Sequence, residues 1–327
     1  MDGSRRTANP ARLRRLAEEL AEAGLAVDVT TDWGDAVITE VDYALRPHVH
    51  ERRVPSAGAI IHPTTAPTTW EAGTQLTVTR RPVEAMPLTG TRLFADGLAS
   101  WLIRWAGGDD EWAVFDRAAG SERDLVVLAE AMGATIVQRH PAGIVRIVGT
   151  FGVLRWDGLA WHHEPPIGTW LDEVVACGVH GDGEVIENLL EFAVHDLGAR
   201  GIGAILLYRA DDASPATIEL RLPAPPPLDV RRPSDLAPLR HALAQIDGAA
   251  VVDHDGILRE LGVRLVPSPN AETSVDGLRG MRHTSGRRYS FDDPGATVIV
   301  VSEDGPVTVL RGGEVIGRSH ATATADD

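Results

Sequence analysis

Cysteine occurs once in 327 residues, at position 177, so no disulfide can close within the chain and no cysteine-based zinc cluster can be built. That count fits a reducing cytoplasm, with Cys177 as buried ballast. Long apolar runs are also missing: nowhere are there the ~18–20 consecutive apolar residues that a bilayer-spanning helix requires. The opening stretch from Met1 to Pro10 carries Arg5 and Arg6 but runs into charged amphipathic sequence, without the apolar core of a signal peptide. Basic residues are scarce, 31 against 47 acidic, for a net charge of −16. A surface with that balance is not built to track nucleic-acid backbones or anionic lipid. Any polyphosphate site must therefore be made locally, from a few placed arginines and backbone N–H groups. No 20–50-residue repeat is present. The expectation is a soluble, cytoplasmic protein that makes no use of membrane or DNA.

What is present is a 43% apolar chain long enough for about two domains. Asn9-Pro10 reads as the cap and first turn of a helix carrying Leu13, Leu16, Ala17 and Leu20 at helical spacing as far as Gly24. Residues 27–31, 36–43 and 76–80 are rich in β-branched side chains and read as strands. Helices are expected at 93–105 and 122–132, then strands at 135–138 and 144–148, and a hairpin turn at Trp156-Asp157-Gly158. His163-Glu164-Pro165-Pro166 interrupts both periodicities, which puts a boundary within 162–168. Beyond it, helices at 170–177 and 184–197 precede strands at 203–208 and 217–222. A helix at 235–246, a strand at 249–253, a polar loop at 267–277, a helix from Arg282 and strands at 296–301 and 307–310 follow. Buried apolar strands alternating with helices argue for a layered α/β domain with a mixed central sheet flanked by helices, behind a separate N-terminal α/β domain. Residues 320–327 read as a disordered tail.

Two places carry chemistry. Asp247-Gly248-Ala249 presents a carboxylate where a helix gives way to an apolar strand, beside a glycine that lets a ligand approach closely, a position that suits a metal ligand. Gly280-Met281-Arg282-His283 opens a helix, and free N–H groups beside an arginine make a phosphate cradle. Taken singly, Asp-Gly is most often a turn and a basic helix start is as often solvated.

Taken in order, the features resemble the diadenylate cyclase domain, the nucleotide-binding module of DNA-integrity-scanning proteins. The similarity runs from about Gly181 to Gly317. It rests on residues 187–193 with 202–207, on 247–253, on Gly262-Val263-Arg264-Leu265, on Gly280 with Arg282-His283, and on 298–303. The resemblance implies a cyclase domain over 166–319, a regulatory or sensor domain over 1–165, and condensation of two ATP into cyclic di-AMP with Mg2+ or Mn2+. It makes Asp247 the metal ligand and, with Arg282 and His283, the catalytic set. Gly248, Ala249, Leu265, Gly280, Thr284, Arg287, Arg288, Ser290, Ser302 and Glu303 are the implied nucleotide neighbours. One domain holds one ATP, so the resemblance also implies a homodimer or higher homo-oligomer.

The chain departs from the family at Thr284, where a third motif position is arginine, and at Met281, where threonine is usual. Arg287 and Arg288 follow three and four residues later on a helical face and are the candidates to restore the charge. The departure leaves a second reading open, a domain that binds ATP or a cyclic dinucleotide without turnover. The chain also lacks the long helical spine and DNA-binding end of the scanning proteins. In the N-terminal half, His48, His50 and His62 read as structural or solvated rather than metal-ligating, and Trp101, Trp105 and Trp112 as the core face of a helix and its exit. The acidic runs Asp109-Asp110-Glu111 and Asp211-Asp212 read as solvated loops.

Overall fold

The first helix begins as its sequence dictates: the Asn9 side chain accepts from the Ala11 amide, Pro10 takes the first turn, and α1 runs over Pro10–Glu22. These observations come from a computed structural model that describes residues 9–47, 49, 54–83, 87–176, 182–209, 216–220, 222–278, 280–303 and 306–319. Cys177, His48, His50, Asp211, Asp212 and the tail 320–327 lie outside the described residues. Contacts divide the chain into two compact units, Met1–Pro166 and Ile167–Asp327.

In the first unit α1 is followed by α2 (Asp32–Leu45), β1 (Ala57–Ile61), α3 (Pro67–Thr74), β2 (Val78–Pro82), α4 (Leu88–Thr91), β3 (Ser100–Arg104) and β4 (Glu111–Phe115). Then come α5 (Glu122–Met132), β5 (Thr135–Arg139), β6 (Val145–Gly149), β7 (Gly152–Trp156) and β8 (Trp161–Glu164). The strands lie in the order β2-β4-β3-β1-β5-β6-β7-β8, with β1 and β3 parallel and the other neighbours antiparallel. Alternate residues feed two cores: Ala59, Ile61 and Leu102 meet α1 and α2 on one face, and Ile60, Trp101 and Ile103 meet α3 and α5 on the other.

Three expectations fail here. Residues 36–43 are helical, in α2, and residues 27–31 are not a strand. The Thr31 hydroxyl caps α2 by accepting from the Gly34 amide, and Ala36, Val37, Ile38, Val41 and Ala44 are all buried, so the helix is apolar around most of its girth and shows no clean stripe. Residues 93–105 are not a helix either. A short 3-10 turn at Arg92–Phe94 leads to β3, whose Trp101-Leu102-Ile103 run is buried on both faces. Trp101, Trp105 and Trp112 therefore belong to two neighbouring strands and their connection, not to one helix.

The second unit comprises α6 (Gly168–Ala176), α7 (Gly183–Glu191), a buried π-helical turn (Phe192–Leu197), β9 (Ala204–Arg209), β10 (Thr217–Glu219), α8 (Pro233–Leu243) and β11 (Ala249–Val252). It continues through β12 (Leu258–Val266), α9 (Pro269–Ser274), α10 (Met281–Asp292), β13 (Ala296–Val301), β14 (Val307–Arg311) and β15 (Glu314–Arg318). The sheet order is β10-β12-β11-β9-β13-β14-β15, parallel only between β9 and β11. Along β9, Leu206 and Tyr208 pack with α7 and α8, while Ile205 and Leu207 pack on the Tyr289 side of α10. Burial on both faces is why β9, β11 and β13 read as unbroken apolar runs. Both units are thus mixed α/β sheets with helices, as the patterning predicts. The polar loop expected at 267–277 contains α9, and no strand was expected over β12 or β15. Among the described residues no helix is long and apolar enough to cross a membrane.

Candidate functional site

Topology gathers the site at one end of the second sheet. Ala249 stands opposite Ile205 between parallel β11 and β9, and Val301 stands opposite Ala204 between antiparallel β13 and β9. The residues just before β9 and β11 and just after β13, which are Gly203, Asp247-Gly248 and Ser302-Glu303, therefore lie side by side. β12 runs back along β11 with Val263 opposite Ala249, which carries Arg264 and Leu265 to the same end. Between Ala249 and Ala250 the pairing slips by one residue at Gly262, whose φ of +67° marks a glycine bulge. Gly248 faces that bulge with a φ of +112°, and a Cβ there would lie 2.6 Å from the Gly262 carbonyl carbon. Only glycine fits.

The start of α10 closes the other side. Gly280 sits at the N-cap with φ +95° and no side-chain cap, so the first-turn N–H groups keep their capacity for a ligand. Between these walls opens a cleft of about 1130 Å3, lined by Asp247, Gly248, Ala249, Leu265, Gly280, Arg282, His283, Ser302 and Glu303 among others. The Asp247 carboxylate is 98% exposed. The Arg282 Nη1 donates to Glu303 at 2.9 Å, and its Nη2 lies 3.9 Å from the Asp247 Oδ1. A side chain at Gly203 would collide with that guanidinium, so glycine at this position leaves the arginine its bed. His283 is half-buried against Thr308, its Nε2 3.3 Å from the Thr308 hydroxyl. Burial first, and the facing Arg318 second, hold its pKa below the ordinary histidine value.

Four of the expected nucleotide neighbours stand elsewhere. The Thr284 hydroxyl donates to the Leu278 carbonyl at 2.8 Å. Arg287 donates to the Gly313 carbonyl at 2.6 Å and faces Glu314, and Arg288 donates to the Val275 carbonyl at 3.3 Å. Ser290 is fully buried, donating to the Arg287 carbonyl and accepting from the Gly313 amide. None of the four lines the cleft. The proposed restoration of the missing charge by Arg287 or Arg288 is therefore corrected: their guanidiniums pin α10 to neighbouring loops.

Sequence reasoning missed Glu272 and Ser285, which do line it. Glu272 is delivered by α9, where Ser268 caps the Ala271 amide and is itself gripped by Asp292 at the end of α10. Ser-Pro-Asn-Ala-Glu was a legible helix start. The lining carries three carboxylates, Asp247, Glu272 and Glu303, against two guanidiniums, Arg264 and Arg282. A polyphosphate thus brings charge that the side chains alone do not neutralise, and a divalent cation fits the donor set, with Asp247 as the exposed carboxylate to hold it. Elsewhere among the described residues, Asp253, His254 and Asp255 cluster on a turn, but Asp253 is committed to the amides of Asp255 and Ile257 and to Arg259. In the first unit, His62 lies 3.2 Å from the Asp32 carboxylate.

No curated protein matches the chain. A solved structure described as a hypothetical membrane spanning protein from Bacillus cereus is 22% identical over 39% of this chain and 60% of its own length, with a TM-score of 0.32. The chain therefore spans less than two thirds of that protein. Residues 14–164 match the family model described as "Probable sensor domain DACNK". Residues 191–315, which hold every wall of the cleft, match the model described as DisA bacterial checkpoint controller nucleotide-binding. The chain thus carries a DAC nucleotide-binding domain at 191–315, preceded in sequence by a probable sensor domain of the DACNK type at 14–164.

Proposed function

We propose that the C-terminal domain condenses two ATP into cyclic di-AMP, each of two facing domains contributing one nucleotide. The observation that carries this reading is the convergence of Asp247, Arg282 and the open start of α10 on one cleft within the matched nucleotide-binding domain. In each half-reaction the ribose 3′-oxygen of one ATP attacks the α-phosphorus of the other. The bond from that phosphorus to the bridging oxygen breaks, pyrophosphate leaves, and the hydroxyl proton passes to solvent. Repetition with the roles exchanged closes the ring.

Asp247 would hold Mg2+ or Mn2+, which when bound polarises phosphate oxygens and lowers the pKa of the attacking hydroxyl. The chain's own groups do the positioning. The first-turn amides of α10 receive phosphate oxygens, and Arg282 exchanges Glu303 and Asp247 for the α-phosphate, freeing the carboxylate it now neighbours. Gly248 admits the nucleotide against the backbone, with Ala249 and Leu265 beside the base and Ser302 at the rim. His283, held neutral, acts as a hydrogen-bonding partner to phosphate rather than as a fixed charge.

A specific observation favours a second reading, a domain that binds nucleotide without turnover: Thr284 supplies no cation, and Arg287 and Arg288 do not replace it. Comparing the full chain with an Asp247→Asn variant separates the two readings. Turnover by the parent and none by the variant supports the cyclase. ATP binding without product in either protein supports the sensor and overturns the cyclase.

A further inference from the structure

The N-terminal unit contains a pocket of its own, about 480 Å3, between α1, the end of α2 and the β7–β8 hairpin. Its volume falls in the range of small-molecule sites. One wall is aromatic. Trp156 and Trp161 are direct partners across the hairpin, with ring centroids 5.5 Å apart and planes tilted by 49°. Three basic residues share the lining, Arg12 and Arg15 from α1 and Arg46 just beyond α2. In a chain of net charge −16, three converging guanidiniums are an unusual local excess. The lining's one carboxylate is Glu19, and Arg12 also pairs with Asp42, so the cationic sign survives both counts.

Two donors in this lining are buried without an acceptor among the described residues, the Trp161 indole Nε1 and the Arg12 Nε. Both are closed to solvent, so the pocket's polar reach rests on the exposed forks of Arg15 and Arg46. Arg15 and Arg46 are exposed and form no ion pair among the described residues, so their forks are free to close over an anion.

We propose that this pocket binds a small aromatic anion, a planar ring bearing a phosphate or carboxylate. The ring lies against the Trp156–Trp161 wall, and the anionic group meets Arg15 and Arg46 with Arg12 behind. This gives the DACNK domain a defined ligand class, independent of what the C-terminal cleft does.

Calorimetric titration of the full chain tests it with two probes that are not nucleotides, phenyl phosphate for the phosphate arm and indole-3-acetate for the carboxylate arm. At least one is expected to bind saturably, and the successful arm identifies the anion. An Arg15→Ala/Arg46→Ala variant is expected to weaken that binding about tenfold or more, through the loss of two charge-assisted contacts. Trp161→Phe, which leaves a smaller ring in the same wall, is expected to weaken it several-fold. Arg282→Ala, in the other cleft, should leave it as it is, which separates this site from nucleotide binding there. If neither probe binds, if binding survives Arg15→Ala/Arg46→Ala, or if it disappears with Arg282→Ala, the proposal is overturned.

Discussion

At Gly248 two demands meet, a φ of +112° that side chains avoid and a space already filled by Gly262. Gly248→Ala is expected to cost about 1–3 kcal/mol of stability. It should also displace Asp247, its neighbour, so a denaturation midpoint and an activity assay must both fall. A variant as stable as the parent would show that the turn is not strained. His283 gives a pH signature. Its pKa is depressed in the folded state, so unfolding takes up a proton once pH drops below the ordinary value of about 6.5. The site's contribution to stability is complete above that value and is lost as pH falls towards the folded-state pKa. Melting temperatures measured through that window should fall less in His283→Gln than in the parent. Asp247-Gly248 and Arg282-His283 belong to two short motifs that are weak singly and gain weight through the family resemblance, and the fold brings both to one cleft. Glu272 was not readable from sequence, since what brings it to the cleft is the long-range grip of Asp292 on Ser268.

Among elements, α10 is the best guide to what sequence can and cannot say. Its start at Met281 was legible from Gly280 and the basic residues after it, but the direction of Arg287 and Arg288 was not. Both share a helical face with Thr284, yet their partners are carbonyls at Gly313 and Val275, known only once the chain has folded. The structure accordingly predicts that Arg287→Ala/Arg288→Ala lowers stability by about 1–3 kcal/mol while the KM for ATP stays at the parent value. A raised KM at unchanged stability would return these arginines to the nucleotide. β12 was missed because the Gly262 bulge breaks its alternation, and α2 because β-branched Val37, Ile38 and Val41 in a helix buried on most sides imitate a strand. By contrast, α5 was read to the residue, since Ser121 and Asp124 form a capping box and Gly133 ends the helix in the left-handed region.

At the scale of the whole molecule, both units proved to be layered α/β sheets, which continuous apolar strands such as β9 and β13 announce. The proposed reaction adds a requirement that one chain would not meet, because it assigns one ATP to each cleft and ring closure needs a second. Specific activity is therefore expected to fall on dilution, approaching proportionality to protein concentration once the paired form is rare. Activity per chain that stays constant through dilution, while the protein sediments as a monomer, would contradict the facing-domain arrangement. The most direct test is to incubate the full chain with ATP and Mn2+ or Mg2+ and identify every product by mass. The account predicts one cyclic di-AMP and two pyrophosphates for each pair of ATP consumed, and none of either from Asp247→Asn. Recovery of bound but unconverted ATP from the parent would contradict it and leave a nucleotide-binding domain without turnover.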